Sequence, residues 1–274
     1  LTEAELCGQL PDAIASVDHP SGDGINTYVV ARAVRAAGVK VALSGLGGDE
    51  FFGGYPSFRR LGKFAAYARA WRRSPKPMRA AAAAAVRTLG GASVASMKTA
   101  ALLESDGSLP QTFPVMRQLF STAERGALLG PDLVADAARW GDPYVTLLER
   151  AVERHSDVGL MSLVSYAESR TYMHDVLLRD TDQMSMRHGL EVRVPLLDHR
   201  LVEYVMGLPD AVKQAGDVPK RLLVESLGIP LPDECVNRPK RGFVLPFHLW
   251  MRGDLRPFCE HHLGPEGLAA RVPF

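Results

Sequence analysis

Apolar positions in this chain recur mostly at helical spacing, and strand-like runs are scarce. Residues 3–15 read as a short helix, followed by the turn-rich loop Asp18-His-Pro-Ser-Gly-Asp-Gly24. Ile25, Tyr28, Val29, Ala33, Val34 and Ala37 then share one face of a helix over residues 25–37, which Gly38 is placed to end. The apolar run at 39–44 predicts a buried strand. Helix, strand and glycine loop in that order form the second half of a βαβ-like nucleotide unit. Residues 58–103 are basic, alanine-rich and helical, and Pro75 and Pro77 divide them into two helices. More helices are predicted over 112–119, 122–129, 143–155 and 156–186, and Ser121-Thr-Ala-Glu124 matches the capping-box pattern. Extended backbone returns only in short pieces such as 190–194. The pattern predicts a mainly α chain, with a partial α/β stub over residues 1–60 and a helical part over 61–274.

Composition removes several classes. Across 274 residues, 32 Lys and Arg stand against 31 Asp and Glu, so no broad nucleic-acid footprint is expected. No apolar stretch approaches the ~20 residues that span a bilayer, and no leader pattern opens the chain. Cys7, Cys235 and Cys259 lie far apart without metal-type spacing, which fits a reducing cytoplasm. The first residue is Leu1 rather than Met, so the chain is read as a fragment of a longer protein. Eight histidines are scattered with no i,i+4 pair, and no zinc site is expected.

The chemistry concentrates in three stretches. Residues 45–55 read Gly-Leu-Gly-Gly-Asp-Glu-Phe-Phe-Gly-Gly-Tyr, directly after the predicted strand. Residues without a Cβ let backbone N–H groups approach an anion closely. Asp49 and Glu50 behind them would repel a phosphate unless a hard cation stood between, which implies Mg²⁺. The alternative is a glycine turn with solvated acids. Glu50 spoils a G-x-G-x-x-G reading, and no Gly-Lys-Ser/Thr ending makes a P-loop. Ser44 lacks the surrounding glycines of a nucleophile elbow.

In residues 177–200 charges alternate in sign among apolar neighbours: Arg179, Asp180, Asp182, Arg187, Glu191, Arg193, Asp198 and Arg200. A buried network of Arg–carboxylate pairs is the expected structural role of Glu191, Arg193, Asp198 and Arg200. Gly189 is expected to end a helix, Pro195 to mark an extended segment and Asp198 to cap the next helix. The third stretch, Asn-Arg-Pro-Lys-Arg-Gly-Phe at 237–243, is a stiff cationic loop or else a surface turn.

Together these stretches resemble one family closely: the synthetase domain of glutamine-dependent asparagine synthetases and their relatives. The resemblance implies the second half of an adenine-nucleotide alpha-hydrolase-like (PP-loop ATPase) unit. It implies ATP and Mg²⁺, adenylation of a small-molecule carboxylate, and displacement of AMP by an amine. On this resemblance Asp49 holds the metal, and Ser44, Gly45, Leu46, Gly47, Gly48 and Glu50 contact the nucleotide. Arg179 and Asp182 lie near the substrate, and Lys240 reaches the pyrophosphate. Lys220, in Pro219-Lys-Arg-Leu-Leu, starts a helix and is structural. The glutaminase domain of a parent chain is the implied partner; neither nucleic acid nor membrane is, and homodimerisation stays open.

Three departures from the family pattern matter. The family's upstream Ser-Gly-Gly-x-Asp-Ser loop is not in this sequence, and Cys7, in a helical context, cannot be the glutaminase nucleophile. Leu46 stands where asparagine-forming members carry Glu. The chain alone is therefore expected to be inactive. Its product is left open among asparagine, a sugar amide and a lactam, and a non-catalytic helical interaction module is the reading from another class.

Overall fold

The computed structural model describes residues 2–91, 93–213, 218–236, 242 and 245–269. The chain begins with α1 (Glu3–Ala15), α2 (Gly24–Ala36), β1 (Val41–Leu43) and the single turn α3 (Gly48–Phe51). The alanine-rich region forms three helices, α4 (Pro56–Trp71), α5 (Lys76–Gly90) and α6 (Val94–Glu104), not two. The extra break falls at Gly91, which ends α5 with a positive φ of 61° that glycine adopts without steric cost. α7 (Leu109–Arg117) starts earlier than its apolar pattern implies, with Pro110 in its first turn. α8 (Thr122–Leu128) has the expected capping box between Ser121 and Glu124. α9 (Pro131–Trp140) was not signalled by the periodicity used above, whereas α10 (Pro143–Arg154) matches its prediction.

One predicted helix over 156–186 is three pieces: α11 (Leu160–Glu168), a π-helix (Ser169–Leu178) and α12 (Arg179–Met186). Gly189, at φ 63°, follows α12 as expected. β2 (Glu191–Arg193) comes next, and Pro195–Leu197 is a 3-10 turn rather than extended backbone. The proline ring suits the first position of such a turn, which closes with Leu197 N–H on the Val194 carbonyl at 2.9 Å. α13 (His199–Gly207), α14 (Asp210–Lys213), α15 (Arg221–Ser226), α16 (Asp233–Val236), α17 (Phe247–Trp250), α18 (Arg256–Leu263) and α19 (Pro265–Ala269) complete the described elements. Lys220, at φ 55°, immediately precedes α15.

Two compact units are interleaved along the chain. The first comprises Leu1–Glu50, Glu168–Tyr204 and Pro232–Phe274. α1 enters through a capping box in which Glu5 N–H donates to Thr2 Oγ1 and Thr2 N–H to the Glu5 carboxylate. Leu6 and Leu10 of α1 pack with Leu245, Leu255, Ile25 and Val29, and a second cluster joins Ala13, Tyr28 and Met184. Fully burying such side chains contributes roughly 1.5–3 kcal/mol each, so α1, α2 and α12 are held mainly by apolar contact. Asp12 ties the same three helices. It accepts the Tyr28 hydroxyl at 2.5 Å and the Arg187 guanidinium.

The strand prediction was half right. β1 pairs with β2 in parallel, but it covers three residues and is not buried: Val41 is 42% and Leu43 75% exposed. Parallel strands are buried when layers cover both faces, and the described sheet has only these two strands.

The second unit comprises Phe51–Ala167 and Val205–Leu231. Its core joins Phe58, Leu61, Leu109, Phe113, Leu148, Met161 and Val164. Asp210 caps α11 from a distant part of the chain, accepting the Met161 N–H at 3.1 Å. No described helix is long and apolar enough to cross a membrane.

Candidate active site

The two-stranded ladder delivers the glycine loop. Val41 stands opposite Glu191, Ala42 opposite Val192 and Leu43 opposite Arg193. Bonding continues past both ends: Glu191 N–H donates to the Lys40 carbonyl at 3.0 Å, and Ser44 N–H to the Arg193 carbonyl at 2.8 Å. Ser44 is therefore the last residue fixed by the ladder. Beyond it Gly48 N–H closes a turn on the Gly45 carbonyl at 3.2 Å, and Leu46 N–H lies 3.4 Å from Ser44 Oγ.

Gly47 is required here twice over. Its φ is +92°, and a Cβ would run into the Leu197 side chain. Its N–H donates to Glu50 Oε2 at 3.0 Å, and Glu50 is 1% exposed. The loop's own carboxylate thus takes an N–H that a bare loop would offer to an anion. Asp49, the neighbouring acid, is only half-buried, as are Ser44 and Leu46; Gly48 is buried and Gly45 exposed. Two adjacent carboxylates therefore have different surroundings. Glu50 is turned onto the loop backbone, and Asp49 is half-buried as a residue with its Oδ1 out of solvent.

Among the described residues no group of three or more His, Cys, Asp or Glu is arranged to hold a metal. Mg²⁺ does not require one, since it is commonly held by one or two carboxylates with phosphate oxygens and water completing its shell. Asp49, a half-buried hard-oxygen donor on the glycine turn, fits that coordination chemistry.

α12 carries the next pair of expected residues. Arg179 is exposed, with a guanidinium nitrogen 3.5 Å from Asp18 Oδ1. Asp182 is exposed, and its backbone carbonyl accepts the Ser185 hydroxyl at 3.3 Å. Both belong to the unit that holds residues 44–50, and α12 runs through Gly189 into β2, the partner of β1. Lys240 lies outside the described residues, with the rest of 237–241.

The buried ion-pair network expected of Glu191, Arg193, Asp198 and Arg200 is not there. Arg193 pairs with Glu191 at 2.7 Å and Arg200 with Asp198 at 3.0 Å, and all four side chains are solvent-accessible. Each pair is two residues apart, close enough to meet locally without burial. Asp198 does cap α13, taking the Arg200 N–H at 3.0 Å. The Arg200 guanidinium and N–H hold its carboxyl down at about 2.

Burial falls instead on Asp180, which the sequence grouped with its charged neighbours without singling it out. Asp180 is 1% exposed, accepts the Ser21 hydroxyl at 2.5 Å and has Oδ1 3.2 Å from His19 Nε2. Burial pushes its carboxyl pKa up, against the opposing pull of Ser21 and His19. Ser21 Oγ also accepts the N–H groups of Asp23 and Gly24, and Tyr172 donates to Asp23 at 2.7 Å. The loop before α2 is thereby pinned to the helix carrying Arg179 and Asp182. A signal existed: Asp180 lies one helical turn before the core residue Met184, on the same face.

Residues 1–272 match the family model described as asparagine synthase. The chain is similar to asparagine synthetase [glutamine-hydrolyzing] 1 of Bacillus subtilis (strain 168), 27% identical over 95% of this chain and 39% of that protein. It is also similar to the amidase chry2 of Gibberella zeae, 27% identical over 88% of this chain and 37% of that protein. A shorter stretch, 26% of this chain and 12% of the relative, is 43% identical to asparagine synthetase [glutamine-hydrolyzing] 3 of Bacillus subtilis (strain 168). The chain thus spans about two fifths of the length of the first two relatives. No solved structure matches.

Proposed function

Since the chain belongs to the asparagine synthase family, we propose that it is the part of an ATP-dependent amide-forming ligase that carries the glycine and acid loop of the nucleotide site. The reading includes a PP-loop ATPase-type unit around β1 and a glutaminase domain elsewhere in the full-length protein. The observation that carries it is the division of labour between Asp49 and Glu50. Glu50 is turned onto the Gly47 N–H inside the loop, and Asp49 beside it is a half-buried carboxylate of the kind that holds a hard cation.

ATP with Mg²⁺ would supply the activation of a carboxylate, with AMP as the group later displaced by an amine. This chain's residues would bind and orient. Asp49 would hold the cation, and the turn of Ser44 through Gly48, with three glycines and little side-chain bulk, would let the phosphates approach closely at the end of a fixed ladder. Lys240 would steady negative charge as pyrophosphate leaves, a task for which a compact ammonium is suited. Arg179 and Asp182 would face the carboxylate substrate from α12.

Leu46 favours an acceptor other than free aspartate. An aliphatic side chain cannot take a proton from an attacking ammonium, and it forms a poor wall for a small doubly charged acid. An acid with a more apolar body, such as one that closes a lactam, fits that wall better, and a sugar carboxylate would need polar partners for its hydroxyls elsewhere. The test is nucleotide product analysis on the full-length protein with a panel of carboxylates. Carboxylate-dependent release of AMP and pyrophosphate supports the proposal; ADP and phosphate as products, or no cleavage with any acid, contradict it.

A further inference from the structure

Between Glu50 and Glu104 the chain contains no Asp or Glu and ten of its 32 Lys and Arg, although the whole chain is nearly neutral. This cationic stretch is α4, α5 and α6 of the second unit. Several of its cations are used internally: Arg79 donates to the Ser105 carbonyl, Lys98 to the Met116 carbonyl, and Arg87 forms a two-pronged pair with Glu104. Lys63, Arg72, Arg73 and Lys76 are exposed, and no described carboxylate pairs with them. Arg60, Lys98 and Arg117 add a second crowding of like charge. Burial and the two guanidinium groups push the Lys98 ammonium pKa down.

A cleft of about 350 Å³ opens in the same region, lined by Phe64, Tyr67, Ala68, Trp71, Ser74 and Leu103 among others. Its shape is fixed: Trp71 Nε1 donates to the Leu103 carbonyl at 2.9 Å, and a Cβ on Gly107 would strike Ala68. Tyr67 is nevertheless 75% exposed on its rim. Lys63 lies one turn before the lining residue Tyr67 on α4, Arg72 and Arg73 stand between the lining residues Trp71 and Ser74, and Lys76 comes two residues later, so four exposed cations adjoin the cleft along the chain. The volume lies in the range of discrete ligand sites, roughly 300–1,000 Å³.

We propose that this cleft docks an acidic peptide segment, with an aliphatic or aromatic side chain seated between Tyr67 and Trp71 and flanking carboxylates on Lys63, Arg72, Arg73 and Lys76. Charge complementarity selects an anionic partner, and concavity selects among anionic partners. A membrane surface offers no single side chain to seat in an apolar cleft. Single-stranded nucleic acids stack successive bases on several open aromatic faces, whereas here Tyr67 stands out and Trp71 is tied by its indole N–H to the Leu103 carbonyl. The inference does not depend on the amide-forming reading, because the cleft belongs to the second unit and none of its lining residues was assigned to chemistry.

The test uses the full chain and a capped synthetic peptide of alternating Glu pairs and Leu, followed by tryptophan fluorescence and calorimetry. Saturable binding below about 1 mM is expected, and it should weaken steeply between low and physiological salt. Arg72→Glu with Arg73→Glu, and separately Tyr67→Ala, should each weaken it about tenfold or more. These positions are at the surface, so an unchanged melting temperature verifies the fold of each variant. A matched Glu-to-Lys peptide should not bind. No binding of the acidic peptide, or equal binding by the variants, overturns the proposal. Tighter binding of poly(U) RNA or of phosphatidylserine vesicles than of the peptide overturns it as well, in favour of those partners.

Discussion

Glu50 Oε2 accepts the Gly47 N–H at 3.0 Å inside the loop that the two residues share. This bond makes the glycine turn a preformed object. A left-handed backbone at Gly47, the Leu197 side chain against it and a buried carboxylate beneath it fix one conformation. Replacing Glu50 with Ala should therefore destabilise the fold. A buried N–H left without its acceptor costs about 1–3 kcal/mol. Gly47→Ala should cost a further strain on the order of 1–3 kcal/mol, besides the collision with Leu197. Thermal unfolding of both variants checks this. Wild-type melting temperatures would mean that the loop relaxes freely.

Asp180 gives a pH dependence opposite in sign to that of Asp198. Burial raises the folded-state carboxyl pKa of Asp180 above its unfolded value, so the native state binds the extra proton. Its contribution to stability is largest in acid and is lost as pH rises through the raised value. Asp198, lowered to about 2 by Arg200, contributes stability that is present above the ordinary carboxylate range and lost as pH falls toward 2. Asp180→Asn should hold or raise the melting temperature at neutral pH while removing part of the gain on mild acidification. Denaturant midpoints measured from pH 4 to 8 decide it; a variant destabilised equally at every pH would show that the Asp180 charge is not the costly element.

The first two helices of the first unit were legible from apolar spacing, whereas α16 to α19 at its other end were not anticipated. Ile25, Tyr28 and Val29 sit on the buried side of α2, and Gly38 ends it, as their spacing implied. What misled was burial. A run of β-branched residues cannot report how many neighbours a strand has, so Val41 and Leu43 read as core and are exposed. Alternating charges likewise cannot show which member faces inward, and Glu191, Arg193, Asp198 and Arg200 were assigned the buried role that Asp180 holds. The π-helical winding of residues 169–178 left no mark in periodicity. In the candidate site, the residue types around Asp49 were readable, but the inward turn of Glu50 required coordinates.

Leu46 makes a prediction about the acceptor. In the full-length protein, free aspartate should be a poor substrate, and Leu46→Glu alone should not make it a good one, because a new base does not rebuild an acceptor pocket. Ammonia-dependent amide formation measured with aspartate and with larger carboxylates tests this. Efficient asparagine formation by the unaltered protein would remove the basis for any other acceptor.

The most direct measurement is exchange of labelled pyrophosphate into ATP by the full-length protein and its Asp49→Asn variant, with the carboxylate substrate present. Asparagine keeps the shape at position 49 and removes the charge proposed to hold Mg²⁺, an interaction that typically contributes several kcal/mol to the transition state. The account predicts that exchange falls by about a thousandfold or more, while the melting temperature of the same sample is nearly unchanged. Exchange at the wild-type rate would show that Asp49 does not hold the metal and would contradict the division of roles between Asp49 and Glu50.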